Sequence, residues 1–237
     1  MVQWLLAAYG VEHVIEYFFL KGDNHNMEID SIIFDLDGTL WDSVEGVCGT
    51  WKTVLENYPD ISKTITTEDI QGCMGLSTSE IGKRLFPELD EEFRMRLMKQ
   101  CGDAECEYLA EHGGDLYPEL EETLNKLSQK YKLFIVSNCQ DGYIQCFFKA
   151  HKLEKFFTDI ECMGATGLTK GENNKLIIKR NNLKSPVYVG DTIGDAESAR
   201  AAGIPFIYAK YGFGSVEGYD YVIYSIKEIL DLMHCAG

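Results

Sequence analysis

Zinc-binding and disulfide patterns are missing from this sequence of 237 residues. Its eight cysteines include no CxxC pair, and no histidine stands near them at ligand spacing. A structural zinc site is therefore not predicted. Because the cysteines are scattered through apolar or helical-looking segments, we interpret them as reduced core thiols and expect a cytoplasmic protein.

Basic residues are few compared with acidic ones. Lysine and arginine together number 22 against 38 aspartates and glutamates, which gives a net charge of −16. A field of that sign repels phosphate backbones and anionic lipid, so neither nucleic acid nor a membrane surface is predicted as a partner. With 45% hydrophobic and 25% charged residues, the composition is typical of a soluble globular protein. No feature of the sequence indicates an oligomeric state.

The sequence also lacks internal repeats, low-complexity tracts and a recognisable targeting segment. The first twenty residues are strongly apolar, but Glu12, His13 and Glu16 interrupt the run, and no basic n-region or small-residue cleavage site accompanies it. Their pattern favours a loosely amphipathic helix. We expect residues 1–26 to be an N-terminal extension, either an appendage or a stretch upstream of a start at Met27.

Short apolar runs alternate with helical periodicity from Ser31 onwards, a pattern typical of an α/β fold with a parallel sheet. The runs are continuous in hydrophobicity, as expected for strands that are covered on both faces. The predicted strands are Ser31–Asp35, Leu133–Ser137, Val187–Gly190 and Pro205–Tyr208, with a weaker one around Ile160.

Residues 43–114 break this alternation and carry only helical signals. Thr66–Asp69 and Ser77–Glu80 are capping-box patterns, and Gly113 and Gly114 close the last helix of the segment. The predicted apolar stripe of that helix consists of Phe93, Leu97, Cys101, Ala104 and Tyr108. The segment therefore predicts an all-helical domain of about seventy residues, inserted into an α/β domain built from residues 27–42 and 115–237.

Two carboxylates, Asp35 and Asp37, follow the first predicted strand in the run IFDLDGTL. Residues two apart on a strand project to the same side, and ligands bind at the carboxyl ends of strands in open α/β sheets. Two anions in one crevice call for a cation, and a hard ion that takes oxygen ligands fits them. Gly38 lets the backbone turn tightly and present amides to a phosphate. A plain strand-to-loop turn capped by these aspartates is the alternative.

Three later motifs carry further candidates. Ser137 and Asn138 end a predicted strand and can donate hydrogen bonds to phosphoryl oxygens, although Ser-Asn after a strand is more often a turn. Lys170 can neutralise a phosphoryl group, although most lysines are solvated surface residues. Asp191 and Asp195 follow another predicted strand. Asp191 would be a direct metal ligand. Asp195 would orient it as part of the metal site, cap the helix predicted at 196–202, or do both.

In order and spacing the four motifs, DLDGTL, Ser-Asn, Lys and GDTIGD, resemble the signature of the haloacid dehalogenase superfamily. The resemblance extends from about residue 29 to the C-terminus. It is closest to the branch that contains phosphoglycolate phosphatase-like and β-phosphoglucomutase-like enzymes. It implies a Rossmann-like parallel core, made of residues 27–42 and 115–237, and identifies residues 43–114 as a C1-type cap domain.

The resemblance also implies a mechanism and a cofactor. Asp35 would attack phosphorus to give an aspartyl phosphate, and Asp37 would act first as general acid and then as general base. Lys170 would be the third catalytic residue. The implied Mg²⁺ site comprises Asp35, Asp37 (through its backbone carbonyl), Asp191 and Asp195. The implied phosphate site comprises Gly38, Ser137, Asn138 and Lys170.

The implied substrate is a small phosphorylated metabolite, hydrolysed at a phosphomonoester. A sugar phosphomutase of the β-phosphoglucomutase type shares the motifs and is the alternative enzyme. A non-catalytic binding protein on the same scaffold is a third reading, and the intact motif residues argue against it. Gly171 after the lysine and Cys139 after Asn138 depart from the pattern often found in the family, which weakens an assignment to phosphoglycolate.

Three cations of the predicted cap could contact the substrate. They are Lys52, Lys83 and Arg84. Exposed helix faces explain each of them more simply. The sequence therefore leaves the identity of the phosphoester open.

Overall fold

A computed structural model describes residues 29–235 of the chain, with side chains described as far as residue 233. The predictions for residues 1–26 lie outside this range. Within it, no helix has the length and apolarity needed to cross a membrane. The seven cysteines with described side chains are free thiols, and five of them are buried, as predicted for core thiols.

Six parallel strands form the main sheet. The strands of the chain are β1 (Ser31–Phe34), β2 (Trp41–Asp42), β3 (Asp115–Leu116), β4 (Lys132–Ser137), β5 (Phe157–Cys162), β6 (Pro186–Gly190), β7 (Phe206–Ala209) and β8 (Tyr221–Ile223). The sheet has the order β5-β4-β1-β6-β7-β8, while β2 and β3 form a separate antiparallel pair. The α/β class with a parallel sheet is confirmed. All five predicted strands are present, while β2, β3 and β8 are not among the predicted strands.

Helices cover both faces of the sheet. They are α1 (Val44–Leu55), α2 (Thr67–Gln71), α3 (Thr78–Leu85), α4 (Glu91–His112), α5 (Leu120–Leu127), α6 (Tyr143–His151), α7 (Met163–Thr166), α8 (Lys170–Arg180), α9 (Ile193–Ala202) and α10 (Glu228–Cys235), with a 3₁₀ turn at Glu154–Phe156. Ile32 and Phe34 of β1 pack into one apolar cluster, whereas Ile33 packs into a second cluster with α8 and α9. Because β1 is buried on both faces, its sequence is a continuous apolar run.

Helices α1 to α4 make up residues 43–114, called here the helical insertion. The β2–β3 pair lies where the chain leaves the main sheet and returns to it, with Trp41 opposite Leu116. Both predicted capping boxes are present, at the starts of α2 and α3. Helix α4 packs against α1 within the insertion and against α6 beside the sheet. The division into two domains at these boundaries stays a prediction.

The buried face of α4 differs from the predicted stripe. Its buried residues are Leu97, Met98, Cys101, Glu105 and Leu109. Tyr108, assigned to the stripe, is 40% exposed, while Glu105 is only 6% exposed. The face lies about one residue further along the chain because the helix packs against α1 and α6 together, which sequence periodicity does not reveal.

Candidate active site

The carboxyl ends of three adjacent strands bring the predicted motifs together. Strand β1 pairs with β4 on one side and β6 on the other, so that Phe34 lies opposite both Ile135 and Val189. Asp35 directly follows β1, Ser137 is the last residue of β4, and Asp191 directly follows β6. Parallel strands in register end at one edge of the sheet, where open α/β sheets bind their ligands.

Lys170 reaches this edge from the first position of α8. A capping box between Thr169 and Glu172 fixes the start of the helix. The lysine ammonium donates to Asp35 Oδ1 at 2.9 Å and to Asp195 Oδ1 at 2.7 Å, and the side chain is 4% exposed. Burial lowers the pKa of Lys170, but the Asp195 and Asp35 carboxylates outweigh it and hold this pKa above its ordinary value. The buried lysine therefore stays charged.

Three carboxylates converge beside this lysine. One oxygen from each of Asp35, Asp191 and Asp195 lies within 4.8 Å of the others, and all three side chains are buried. Burial, and after it the charge of Asp195, raises the pKa of Asp35 to about 7 in opposition to Lys170. Burial, followed by the charges of Asp195 and Asp35, raises the pKa of Asp191 well above its ordinary value. When all are ionised, three negative charges against one positive leave two uncompensated negative charges, which is a donor set that fits a divalent cation with oxygen ligands.

Asp195 is the most heavily hydrogen-bonded member of the cluster. Its Oδ1 accepts from Lys170 and, at 3.3 Å, from the Tyr188 hydroxyl. Its Oδ2 accepts from the Thr192 amide and hydroxyl and from the Asp191 amide. The predicted N-cap role of Asp195 is wrong, because α9 begins at Ile193 and Thr192 is its N-cap, with Asp195 as the third residue of a capping box. Asp195 thus fixes the turn after β6 and the position of Lys170.

Close packing around Asp191 requires glycine at two neighbouring positions. A Cβ on Gly38, whose φ is 80°, would lie 2.3 Å from Asp191 Oδ2, and a Cβ on Gly212 would lie 2.3 Å from Asp191 Cβ. The backbone amide of Phe213 donates to Asp191 Oδ2 at 2.7 Å, and the Thr39 hydroxyl donates to Oδ1 at 3.5 Å. The Asp191 carboxylate is therefore held between the first motif and the loop after β7.

Asp37 has different surroundings from the three clustered carboxylates. Its Oδ1 accepts from Trp41 Nε1 at 2.9 Å, from the Ser43 hydroxyl at 2.7 Å and from the Tyr143 hydroxyl at 3.0 Å. Burial raises the pKa of Asp37 in opposition to these hydrogen bonds. A carboxyl group with a raised pKa and three fixed donors is suited to proton transfer. Its side chain is not part of the carboxylate cluster.

The second motif contacts the helical insertion. The Asn138 side-chain amide donates to the Gly75 carbonyl at 2.8 Å, so this amide links β4 to the loop after α2. A Cβ on Gly75, whose φ is 80°, would lie 3.2 Å from the Thr192 side chain. Ser137 is buried at the end of β4. The structure thus places Ser137 and Asn138 at the predicted edge, with the Asn138 amide directed to the insertion.

A cavity of about 60 Å³ lies between the sheet edge and the insertion. Its wall is formed by Asp35, Asp37, Val47, Trp51, Ile70, Cys73, Met74, Gly75, Leu76, Ile81, Glu105, Ser137, Asn138, Cys139, Gln140 and Tyr143. The three predicted cations of the insertion, Lys52, Lys83 and Arg84, are exposed and do not line it.

Several site residues were not predicted from the sequence. Trp41 and Ser43 lie four and six residues after Asp37, and a group of donor side chains soon after a motif aspartate is a signal that could have identified them. Tyr143 and the Phe213 amide come from segments far along the chain. No local pattern marks them, since only the folded chain brings them to the motif.

Comparison with known proteins identifies one family for this chain and solved structures whose fold is similar to its own. The family model described as haloacid dehalogenase-like hydrolase matches residues 32–209. A haloacid dehalogenase-like family hydrolase from Streptococcus pneumoniae has a solved structure that superposes with a TM-score of 0.74 at 22% identity. The match covers 86% of this chain and 98% of that one. At this identity the similarity shows the fold alone.

Two curated relatives carry the names of phosphate-releasing enzymes. A phosphoglycolate phosphatase from Aliivibrio fischeri is 27% identical over 206 residues, which span 80% of this chain and 88% of the relative. The pyrophosphatase PpaX from Listeria welshimeri is 29% identical over 184 residues, which span 74% of this chain and 80% of the relative.

Proposed function

This chain is a phosphatase of the haloacid dehalogenase-like hydrolase family, and we propose that it hydrolyses a small phosphomonoester with Mg²⁺ through an aspartyl phosphate on Asp35. The supporting observation is the arrangement around this residue. On one side Asp35 contacts a buried lysine within a cluster of carboxylates. It also shares the wall of a cavity with Asp37, whose carboxyl group is fixed by three donors.

Asp35 is the proposed nucleophile. A carboxylate oxygen attacks phosphorus, the bond to the ester oxygen breaks, and the phosphoryl group is carried on Asp35. Lys170 donates to Oδ1 of this carboxylate, which leaves Oδ2 for the attack and fixes its direction. The positive charge of Lys170 also offsets charge that develops on the phosphoryl oxygens.

Asp37 is the proposed general acid and base. Its raised pKa favours the protonated form that can give a proton to the departing alkoxide. The resulting carboxylate, which three donors stabilise, can then take a proton from the water that attacks the aspartyl phosphate. Release of inorganic phosphate returns Asp35 and Asp37 to their starting states.

The residues that would hold Mg²⁺ are Asp35, Asp191 and the backbone carbonyl of Asp37. When bound, the ion would neutralise charge on the phosphoryl oxygens and on the carboxylates. Asp195 belongs to the same carboxylate cluster, and its many hydrogen bonds favour a supporting role in which it positions Lys170 and the turn that carries Asp191. The free thiols support the cytoplasm as the place of action.

The experiment is a panel of phosphorylated metabolites with Mg²⁺, scored by release of inorganic phosphate. Asp35→Asn should abolish release, because an amide cannot form the acyl phosphate. Asp60→Asn is the matched control, since Asp60 is exposed and distant in sequence from the motifs. Circular dichroism of both variants checks that they fold. Turnover by purified Asp35→Asn at the wild-type rate would refute the proposed mechanism, and no release from any ester by the wild type would refute the function.

A further inference from the structure

Glu105 is a buried acidic residue that the proposed mechanism does not use. It lies on α4 of the helical insertion, is 6% exposed, and forms part of the cavity wall together with Asp35 and Asp37. A buried carboxylate is costly unless its environment stabilises it or a ligand makes use of it. Its place in the same cavity wall as Asp35 and Asp37 therefore points to a role towards the substrate.

Two hydrogen-bond donors hold the Glu105 carboxylate in place and determine how many acceptor positions remain free for a ligand. Trp51 Nε1, from α1, donates to Oε2, and Gln140 Nε2, from the sheet side, donates to Oε1 at 2.5 Å. Each oxygen thus accepts one hydrogen bond from the protein and keeps a further lone pair. Burial raises the pKa of Glu105 to about 7 in opposition to these two hydrogen bonds, so at pH 8 most of the carboxyl group is ionised. In that form it presents acceptors to the cavity and accepts hydrogen bonds from donors of a ligand.

The rest of the insertion side of the cavity offers no counter-charge. Its side chains are the apolar or neutral groups of Val47, Trp51, Ile70, Cys73, Met74, Leu76 and Ile81. Among the residues that the structure describes, no lysine, arginine or histidine lines the cavity. A leaving group that carried a carboxylate would therefore lie beside Glu105 without a compensating cation, which is unfavourable in a buried site.

We propose that Glu105 selects the leaving group, so that the substrate is the phosphomonoester of a short alcohol that carries a hydroxyl or ammonium donor and no carboxylate. The proposal rests on the phosphatase function proposed above. The small volume of the cavity, about 60 Å³, supports a short leaving group. By this reasoning phosphoglycolate, the substrate in the name of a relative, is disfavoured.

Four esters that share a two-carbon frame, assayed at pH 8 where Glu105 is mostly ionised, test the proposal. They are ethyl phosphate, 2-hydroxyethyl phosphate, 2-aminoethyl phosphate and 2-phosphoglycolate. A hydrogen bond to a charged acceptor contributes roughly a 10- to 100-fold preference, so kcat/KM for the hydroxyl or amino ester should exceed that for ethyl phosphate by this factor. Phosphoglycolate should rank below both donor-bearing esters. The comparison between the hydroxyl and amino esters identifies the donor.

Glu105→Gln removes the charge at nearly constant volume. The preference for the donor-bearing ester over ethyl phosphate should fall about tenfold, chiefly through KM, and phosphoglycolate should improve relative to ethyl phosphate. A purely structural role would change all four esters alike. Glu107→Gln is the matched control, because Glu107 lies two residues further on the same helix and is exposed. The ester panel on the wild type decides the question even when the variant folds poorly.

Acetyl phosphate, an activated mixed anhydride that carries no hydroxyl or ammonium donor, tests phosphoryl transfer to Asp35 separately from selection of the leaving group. Release of phosphate from acetyl phosphate with equal rates for the four esters, or with phosphoglycolate as the best of them, would overturn the role of Glu105 and leave the proposed function standing. No release from any compound, acetyl phosphate included, would contradict both proposals.

Discussion

Replacing Asp191 with asparagine should stabilise the metal-free protein although it abolishes activity. The oxygens of Asp35, Asp191 and Asp195 lie within 4.8 Å of one another in a buried cluster. Asparagine keeps the shape of the side chain and an oxygen that can accept from the Phe213 amide, but it carries no charge. At a pH high enough to ionise all three carboxyl groups in the metal-free protein, the repulsion that Asp191 adds to the cluster should therefore disappear.

The size of the effect follows from the distances. At 4.8 Å and an effective dielectric constant of about 20, two like charges repel by about 3.5 kcal/mol. Asp191 has two such neighbours, and the charge of Lys170 offsets roughly one of them. A weaker hydrogen bond from Phe213 to a neutral oxygen subtracts about 1 kcal/mol. We expect a net gain of about 1–3 kcal/mol in unfolding free energy, which corresponds to about 2–12 °C in Tm for a chain of this size.

Thermal and urea unfolding of the wild type and of Asp191→Asn, each in EDTA and in Mg²⁺, measure the difference in unfolding free energy between the two proteins. Wild type should gain about 2.7 kcal/mol when the Mg²⁺ concentration is about a hundred times Kd, whereas Asp191→Asn should gain much less. The advantage of the variant should therefore shrink or reverse when the metal is added. Asp60→Asn, at an exposed position, should follow the wild type in both buffers. Equal destabilisation of Asp191→Asn in EDTA and in Mg²⁺ would refute the reasoning, because it would mean that the protein alone stabilises the buried carboxylates.

Three further perturbations test other parts of the site. Excess EDTA should remove phosphatase activity, and added Mg²⁺ should restore it. Ca²⁺ should restore it poorly, because Ca²⁺ takes more oxygen ligands at longer distances. Full activity in EDTA would contradict the metal requirement. Tyr143→Phe removes one of three donors to Asp37 and should lower kcat about 10-fold. The circular dichroism spectrum should change little. An unchanged kcat would mean that this hydrogen bond does not support proton transfer. Gly38→Ala places a Cβ 2.3 Å from Asp191 and should reduce kcat/KM about 100-fold or more. Gly218→Ala, also at positive φ but exposed and with nothing within 4 Å of the added Cβ, should stay active.

The strands and the motif positions could be predicted because their causes are local. Strand β1 is buried on both faces, so its residues form an unbroken apolar run that can be read without knowledge of its neighbours. Asp35 and Asp191 follow such runs directly, and the general rule for parallel sheets places them at one edge. Capping boxes are local too, since the donor and the acceptor lie three residues apart, and both boxes predicted in the helical insertion are present.

The sequence predictions fail where tertiary packing or an exact element boundary decides the outcome. Helical spacing assigned Tyr108 to the apolar face of α4 and did not include Glu105, because periodicity reports one preferred face and α4 contacts both α1 and α6. The alternative that Asp195 is an N-cap fails because the helix starts at Ile193, three residues before the predicted start at 196. Strand β8 is short and only partly buried, so its three residues give little pattern.

The sequence by itself determined which groups this protein has for its chemistry: two motif aspartates after one strand, a lysine, and two aspartates after another strand. These depend on residue identity and on spacing along the chain, which folding does not change. Only the tertiary structure decided how the groups are paired, because a buried contact such as Lys170 to Asp35 joins residues 135 positions apart. The same holds for the Tyr143 hydroxyl on Asp37 and for Glu105, whose burial depends on Trp51 and Gln140 from two other segments. The desolvation and the nearby charges that raise the pKa of these carboxyl groups exist only when distant segments close around them.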